Sequence, residues 1–460
     1  MALPEYFAAL IIFICSIVGM LLCAVFKPTI TFRIYRILLT IETYFIFPLI
    51  GAIVILAAQI IPPKEAGKGL WSFAGLNPIG ILILFFSMVY ISKFLDTTGF
   101  FEFCALYSLS KSNGSAKRLF FIIYGIVSIL TIFTSNDVVV LTFTPFIDYF
   151  ANAAGINPIP FLFGEFFAAN TWSMIFIISN PTNVVIGSAF SQSFTSFAKV
   201  MVLTSVVGGL CNCFLLYYFF RKGINQSFHI EEEEVYEDPA DKIPNKLDMI
   251  VGLVFTLGSI ILMACSSIPG FNVEMWIIAG VMAGVLLIYN IIIDIVRKYE
   301  GPSKLRRIFA SLPYPIIFFL LSLFIIVNAL KIKGLFKTIG NGLNSCVKSS
   351  EPLNILIFGV ISTLSANIFN NIPMSVAFVP IIQATHTPPS RGAIYASVVG
   401  ANLGANLSPL GALAGLMWLK ILKDQVINIG FLDFMKVGFV ITPITLLCTL
   451  GVLIGMIEIT

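Results

Sequence analysis

Residues 37 to 61 (ILLTIETYFIFPLIGAIVILAAQII) hold a single charged side chain, Glu42, and runs of this kind recur along the whole chain. About 20 apolar residues cross a hydrocarbon core as one helix. Such runs settle the solvent before they settle the fold. The chain of 460 residues is 58% hydrophobic and 11% charged, with a mean hydropathy of +0.98. A soluble domain carries about 25% charged residues, and no soluble core could hide this much apolar surface. The composition specifies an all-α integral membrane protein that crosses the bilayer many times.

The first apolar run, 6 to 26, has no Lys or Arg before it and exceeds a signal-peptide core, so it is expected to stay as a helix. The net charge of +4 is small, and its basic residues sit in short loops, which excludes nucleic acid as a partner. Cys15, Cys23, Cys211, Cys213, Cys265 and Cys448 lie inside apolar runs and read as small hydrophobes. Neither they nor His229 and His386 have the spacing of a metal site, so no metal or cofactor is expected beyond a bound Na+ or transported protons. Nucleotide-binding GxxxxGK[ST], zinc HExxH and serine GxSxG patterns are absent. The chain is therefore not expected to be an enzyme, and any driving energy comes from an ion gradient or from a separate cytoplasmic ATPase subunit.

The runs form a list that repeats. Those at about 6–26, 37–61, 78–95, 119–150 and 157–220 are followed by 247–268, 273–293, 313–330, 352–386 and 392–457, with a spacing near 235. Three segments follow: a first repeat over 1–220, a polar and acidic linker over 221–246 that includes the EEEE run at 231–234, and a second repeat over 247–460. Lys and Arg in short loops mark cytoplasmic ends. Lys27, Arg33 and Arg36, then Lys111, Lys117 and Arg118, then the linker, then Arg297, Lys298, Lys304, Arg306 and Arg307 all belong inside. This order runs the third helix of each repeat in opposite directions, so the repeats are inverted, with five transmembrane helices each. The parity requires 119–150 and 352–386 to be re-entrant hairpins and leaves Lys331, Lys333, Lys337 and Lys348 outside, where an amphipathic interfacial segment would accommodate them. Broken helices are expected at 157–190 and 392–418. The whole is placed in the plasma membrane, with lipid as its surroundings and the linker in the cytoplasm.

The hairpin tips are polar islands, TSND at 134–137 and NIFNN at 367–371. A shift of 235 carries Pro145 to Pro380 and Asn136 to Asn371; a shift of 232 carries Asn170 to Asn402. Pro181 and Pro409 interrupt the following runs (AANTWSMIFIISNPTNVVIG and GANLGANLSPLGALAG), freeing carbonyls and exposing helix N-termini. Paired interruptions in two inverted halves point to a transporter's binding site. Asp137 has no counterpart, since Ile372 holds the matching position. An acid at membrane depth is costly, and Asp137 is the candidate for coupling to protons or sodium. Glu165 and Asp148 are secondary candidates, and Glu42 and Asp96 are expected near an interface or beside a partner.

The strings SNDVVVLTFTP, SNPTN, NNIPMSVAFVP and GANLGANLSPLGALAGLMWLKIL resemble the arsenite permease branch of the ion transporter superfamily, over roughly 119–190 and 352–422. That superfamily also holds sodium–proton antiporters, silicon effluxers and sodium–dicarboxylate symporters. The resemblance implies a scaffold and a transport domain, alternating access of elevator or rocking type, and frequent dimers. Carried over by position, it implies substrate or ion contacts at Ser135, Asn136, Asp137, Ser179, Asn180, Asn183, Asn370, Asn371, Asn402, Gly404, Pro409 and Gly411. Thr171, beside Asn170 in AANTWSMIFIISNPTNVVIG, and Asn406 and Ser408, in the last string, complete the candidate set. Asn170, Asn402 and Asn406 depart from the family pattern, in which the first two are commonly acids and the third a Lys, and this shifts weight toward other oxyanions or neutral hydroxylated solutes. The leading expectation is gradient-coupled transport of an inorganic oxyanion or its protonated acid, most concretely arsenite or antimonite efflux. The alternatives are a sodium–proton antiporter, an organic-acid carrier, or a passive channel.

Overall fold

A computed structural model of the chain describes residues 5–34, 37–228, 238–266, 268, 270, 273–297, 303–347, 350–385, 387–427 and 429–460. Arg36, His229, the EEEE run, Lys298, Lys348 and His386 lie outside them. The structure is nearly all helical, and among the described residues nine helices are long and apolar enough to cross a membrane.

The first half runs α1 (Phe7–Phe26), strands β1 (Thr29–Ile34) and β2 (Ile37–Glu42), α2 (Ile46–Ala57), α3 (Pro63–Trp71), α4 (Pro78–Asp96), α5 (Phe100–Ser112), α6 (Ala116–Phe133), α7 (Asn136–Ala153), α8 (Ile159–Trp172), α9 (Pro181–Ala189) and α10 (Phe194–Ile224). The second runs α11 (Lys246–Cys265), α12 (Met275–Arg297), α13 (Lys304–Ala310), α14 (Pro315–Ile332), α15 (Leu335–Val347), α16 (Glu351–Phe369), α17 (Asn371–Thr385), α18 (Arg391–Gly404), α19 (Leu413–Asp424) and α20 (Phe431–Ile459). From α4 to α10 each element has a counterpart between α14 and α20, in order, at a spacing of 232 to 237 between their first residues. The amphipathic segment expected after Lys333 is the helix α15, and α5 is its counterpart.

One expectation fails. Residues 37–61 are not a single spanning helix: β2 pairs antiparallel with β1, with Thr29 opposite Glu42, and only Ile46–Ala57 is helical. The segments TITFRI and ILLTIE are rich in branched residues, which favour extended chain, and a bond from Thr43 N to Pro28 O (3.0 Å) closes the hairpin base. Twelve helical residues reach only about 18 Å, short of the roughly 30 Å core.

The linker is tied down at both ends. Ala116 N donates to Gln226 O (3.1 Å) and Phe228 N to Gly114 O (2.8 Å), while Gly99, at φ +79°, lies against the Lys242 carbonyl. The core forms two buried clusters, and the halves cross between them: α9 packs on α17 and α18, and α19 packs on α7. Each short helix beyond a break therefore supports the other half's hairpin.

Candidate functional site

Both broken segments follow one local logic. α8 stops at Trp172, and after a short turn over Ile177–Ser179 the chain restarts at Pro181, a residue suited to a first helical position because it lacks an N–H. Asn180 accepts from Thr182 N (3.1 Å) as the cap. α18 stops at Gly404, and Pro409–Gly411 forms the equivalent turn before α19. Each break strands carbonyls that must find donors. Asn183 Nδ2 donates to Ser173 O (2.8 Å) and Phe176 O (3.0 Å). In the other half Asn367 Nδ2 donates to Gly404 O (2.9 Å), and Asn370 Nδ2 donates to Leu410 O (3.2 Å).

The hairpin tips dock on these breaks. Ser179 Oγ donates to Ile132 O (2.7 Å), Asn136 Nδ2 to Asn170 Oδ1 (3.1 Å), and Ser408 Oγ to Asn367 Oδ1 (2.6 Å). Asn370 sits at φ +72° and ψ 151°, a region that a residue with a Cβ rarely adopts, so the second tip is held under strain. Gly411 is required where it stands, since a Cβ there would meet the Gly404 carbonyl and come within 2.8 Å of Ala405 Cα.

The two breaks also bind each other. Asn170 Nδ2 donates to Asn406 Oδ1 (3.1 Å), and Asn406 Nδ2 to Thr171 Oγ1 (3.1 Å). Asn402 Oδ1 accepts from Ser173 Oγ (2.9 Å) and Asn180 Nδ2 (2.8 Å), while its Nδ2 donates to Asn183 Oδ1 (2.7 Å) and Val398 O (2.8 Å). All of these side chains are buried. An amide can donate and accept at once, so a network of Asn joins the two breaks without any charge.

Beside this network lies a cavity of about 850 Å³. Its polar lining is formed by Ser135, Asn136, Asp137, Asn180 and Asn371 together with Glu42 and Tyr44, and Phe85, Val89, Ile316 and Phe318 are among its apolar lining. Ser135 Oγ and Asn136 Oδ1 are buried with no hydrogen-bond partner. Four helices begin at this wall: α7 at Asn136, α9 at Pro181, α17 at Asn371 and α19 at Leu413. Their N-termini together present partial positive charge to whatever occupies the space. Lys93 also lines the cavity, but it pairs with Asp96 at 3.2 Å.

The candidate set thus divides. Ser135, Asn136, Asp137, Asn180 and Asn371 line the cavity. Asn170, Thr171, Asn183, Asn402 and Asn406 form the network behind it. Ser179, Asn370, Gly404, Ser408 and Gly411 hold tips to breaks. Asp148 lies apart, bonded to Asn152 (3.0 Å). Asp96 has the neighbour expected of it, and Glu42, expected near an interface or beside a partner, faces the cavity. Its isolation as the only charge in 37–61 was the available signal. Asn367 and Ser173 were overlooked as network members, because a bond that closes a helix break has no sequence spacing of its own. A second space of about 180 Å³ shares Glu42, Tyr44, Leu141 and Leu413 with the first and reaches Lys420 and Asp424.

Comparison with known proteins agrees with this architecture. A family model described as a citrate transporter matches residues 9–400. An arsenical pump membrane protein of Escherichia coli is 27% identical over 381 residues, which is 82% of this chain and 86% of that protein. Among solved structures, the YdaH transporter of Alcanivorax borkumensis superposes with a TM-score of 0.56 at 12% identity, over 98% of both chains. MtrF of Neisseria gonorrhoeae, reported within a class of antimetabolite efflux pumps, gives a TM-score of 0.54 at 12% identity, over 98% of this chain and 95% of that one. At that identity these structures speak for the fold alone.

Proposed function

This chain belongs to the citrate transporter family and is a multi-pass membrane transporter; from that premise we propose that it is a secondary carrier exporting arsenite or antimonite in exchange for protons. The observation that carries the proposal is the cavity wall, where the Asp137 carboxylate stands beside the unpartnered Ser135 hydroxyl and Asn136 carbonyl, with Glu42 in the same lining. Arsenous acid is a small neutral solute with three hydroxyls. Its O–H groups donate to Asp137 and to Asn136 Oδ1, and its oxygens accept from Ser135 and from the helix N-termini. Protonating Asp137 removes an acceptor, so proton and solute weaken each other's binding. Mutual exclusion of this kind is the linkage that exchange needs.

Orientation supports export. The cavity is bordered by Thr29, Lys93 and Ala310–Tyr314, close in sequence to Lys27, Arg306 and Arg307. With the positive loops in the cytoplasm, the site is loaded from inside, the halves are inverted, and the linker is cytoplasmic. The membrane is then the plasma membrane.

A second reading, a carrier of organic acids, is favoured by the four helix N-termini, which suit a carboxylate. It is opposed by Asp137 and Glu42, because a multiply charged anion would bind only after those acids took up protons. Expression in an arsenite-sensitive host separates the two. Resistance to arsenite and antimonite, with uncoupler-sensitive arsenite uptake into everted vesicles, supports export; sodium- or proton-driven citrate uptake without resistance refutes it. A channel would conduct without saturation. Assembly as a homodimer and dependence on a docked ATPase are read in the same preparations, from particle mass and from the ATP requirement of the flux.

A further inference from the structure

Glu165 is the acid that the cavity does not use. It lies on α8 with 0% exposure, one residue from Phe166 and Gly164, in a core cluster that includes Phe161, Phe163, Phe167 and Phe434. Among the described residues it forms no ion pair. Several of the charged groups on the packed elements are engaged elsewhere. Lys117 of α6 and Arg221 of α10 lie over the Tyr217 and Tyr218 rings, Arg391 of α18 meets Thr460, and Lys436 of α20 pairs with Asp433. Lys420 and Asp424 of α19 line the smaller space, while on α7 Asp137 faces the cavity and Asp148 holds Asn152.

Counting hydrogens favours one charge state. Thr144 Oγ1, on α7, stands 2.7 Å from Val140 O and 3.0 and 3.2 Å from the two carboxyl oxygens of Glu165. The hydroxyl owns one hydrogen. Two oxygens 2.7 Å apart need a hydrogen between them, and Val140 O has none to give, so the Thr144 hydrogen lies on that contact. The longer contact with Glu165 is then best satisfied by a hydrogen from Glu165 itself. A bare carboxylate there would also be a buried, unpaired charge, which proteins avoid by taking up a proton. A second donor stands beside the same carboxyl: the indole of Trp418, on α19, whose buried Nε1 makes no well-aligned hydrogen bond among the described residues.

We propose that Glu165 is a second proton-binding site of the carrier, neutral in the conformation seen here, whose proton binding and release switches the contacts among α7, α8 and α19. In the neutral form the acid O–H donates to Thr144, and Trp418 Nε1 makes no well-aligned hydrogen bond. When the proton leaves to water, the Thr144 hydroxyl turns from Val140 to the carboxylate and Trp418 Nε1 swings in as the second donor. Both moves act on helices whose first residues, Asn136 and Leu413, line the cavity. Thr144 lies seven residues along α7 from Asp137, about 10 Å by helical rise. The proposal rests on the transporter reading and adds a site to it. The second half has Ser397 and Val379 at the matching positions, so the device occurs once.

Infrared spectra of the full chain reconstituted in lipid test the proton directly. At neutral pH the wild type shows a protonated-carboxyl C=O band that persists in Asp137→Asn and is missing from Glu165→Gln, which mimics the neutral acid in shape and donor. Identical wild-type and Glu165→Gln spectra overturn the proposal. In everted vesicles, arsenite uptake driven by a pH gradient falls by about tenfold or more in Glu165→Gln while arsenite exchange stays within about twofold; driven uptake also within twofold overturns it, because a merely structural Glu165 would leave both unchanged. If the wild type moves no arsenite, the substrate reading has failed and the infrared result alone decides. Should Glu165→Gln not fold, the band is followed in Thr144→Val, where losing the acceptor moves its frequency; an unmoved band overturns the proposal.

Discussion

Asn402 offers the sharpest test of whether the buried amide network holds the two broken helices together. Replacing it with Leu keeps the volume and removes four hydrogen bonds. The damage is uneven. The Ser173 hydroxyl falls back on Asn170 O, 2.9 Å away, and Val398 O keeps its place in the α18 ladder. Asn180 Nδ2 and Asn183 Oδ1 are stranded in the interior. A stranded buried polar group costs about 1–3 kcal/mol, so with two of them Asn402→Leu should lose about 2–6 kcal/mol. Asn136→Ala should lose less, about 1–3 kcal/mol, because its amide makes one bond, whose loss strands only Asn170 Oδ1, and its own Oδ1 has no partner to lose. The assay is reversible unfolding by SDS titration in mixed micelles, with both variants beside the wild type. Average hydrogen bonds between membrane helices contribute only about 0.6 kcal/mol. A loss below about 1 kcal/mol for Asn402→Leu, or a larger loss for Asn136→Ala, would refute the account of the network as structural and of Asn136 as ligand-facing. Function should rank them the other way, with Asn136→Ala folding well and binding solute poorly.

Asp137→Asn should abolish pH-gradient-driven arsenite flux and also weaken exchange, since it removes an acceptor for the solute; unchanged coupling in proteoliposomes defeats the assignment. Gly438→Ala puts a methyl group 2.5 Å from Asn406 O and closer still to Leu407 O, and Gly411→Ala puts one against the Gly404 carbonyl. Each should cost about 1–3 kcal/mol or more through overpacking, whereas Gly451→Ala, which meets nothing within 4 Å, should be neutral in the same thermal-shift series. Lys304→Met breaks a buried pair, 3.4 Å from Asp248 with both side chains 5% exposed, and should lose about 3–5 kcal/mol. The double change with Asp248→Asn should recover most of that loss in SDS unfolding, and no recovery would remove the ion pair as the cause.

Much of this arrangement was legible because membrane depth makes polar residues conspicuous. The run around Ser135, Asn136 and Asp137 and the Asn-rich string around Asn402 stand out against apolar neighbours, and Pro181 and Pro409 mark the restarts of α9 and α19. The β1–β2 hairpin was not legible, since a hydropathy run does not distinguish an extended ILLTIE from a helical one. Nor were the partners: Asn170 is bonded to Asn406 and Ser173 to Asn402 across more than two hundred residues. A shift between repeats pairs Asn170 with Asn402 as equivalents, and in the structure each bonds to the opposite break, Asn170 to Asn406 and Asn402 to Asn180 and Asn183. Thr144 and Trp418 carry no signal at all until α8 brings Glu165 to them.

The bonds between α8 and α18 constrain how such a site can move. Asn170, Ser173 and Thr171 on one side hold Asn402 and Asn406 on the other, so the two broken segments cannot separate without stranding several buried amides. The hairpin tips are tied to the same body through Ser179, Asn367 and Asn370. Across the cavity, the wall lined by Phe85, Val89, Ile316 and Phe318 from α4 and α14 is apolar, and sliding along it breaks few hydrogen bonds, among them Thr142 Oγ1 to Asp96 Oδ1 (3.3 Å) and Gln383 Nε2 to Ala74 O (2.7 Å). Cheap displacement therefore runs along the apolar wall, and costly displacement runs through the amide network. An alternating-access carrier built this way is expected to move its broken helices and hairpins as one body against α4 and α14, in the shear class of rearrangement rather than by a hinge within the site. Both unmatched acids, Asp137 and Glu165, ride on that moving body, one on its cavity face and one in its interior.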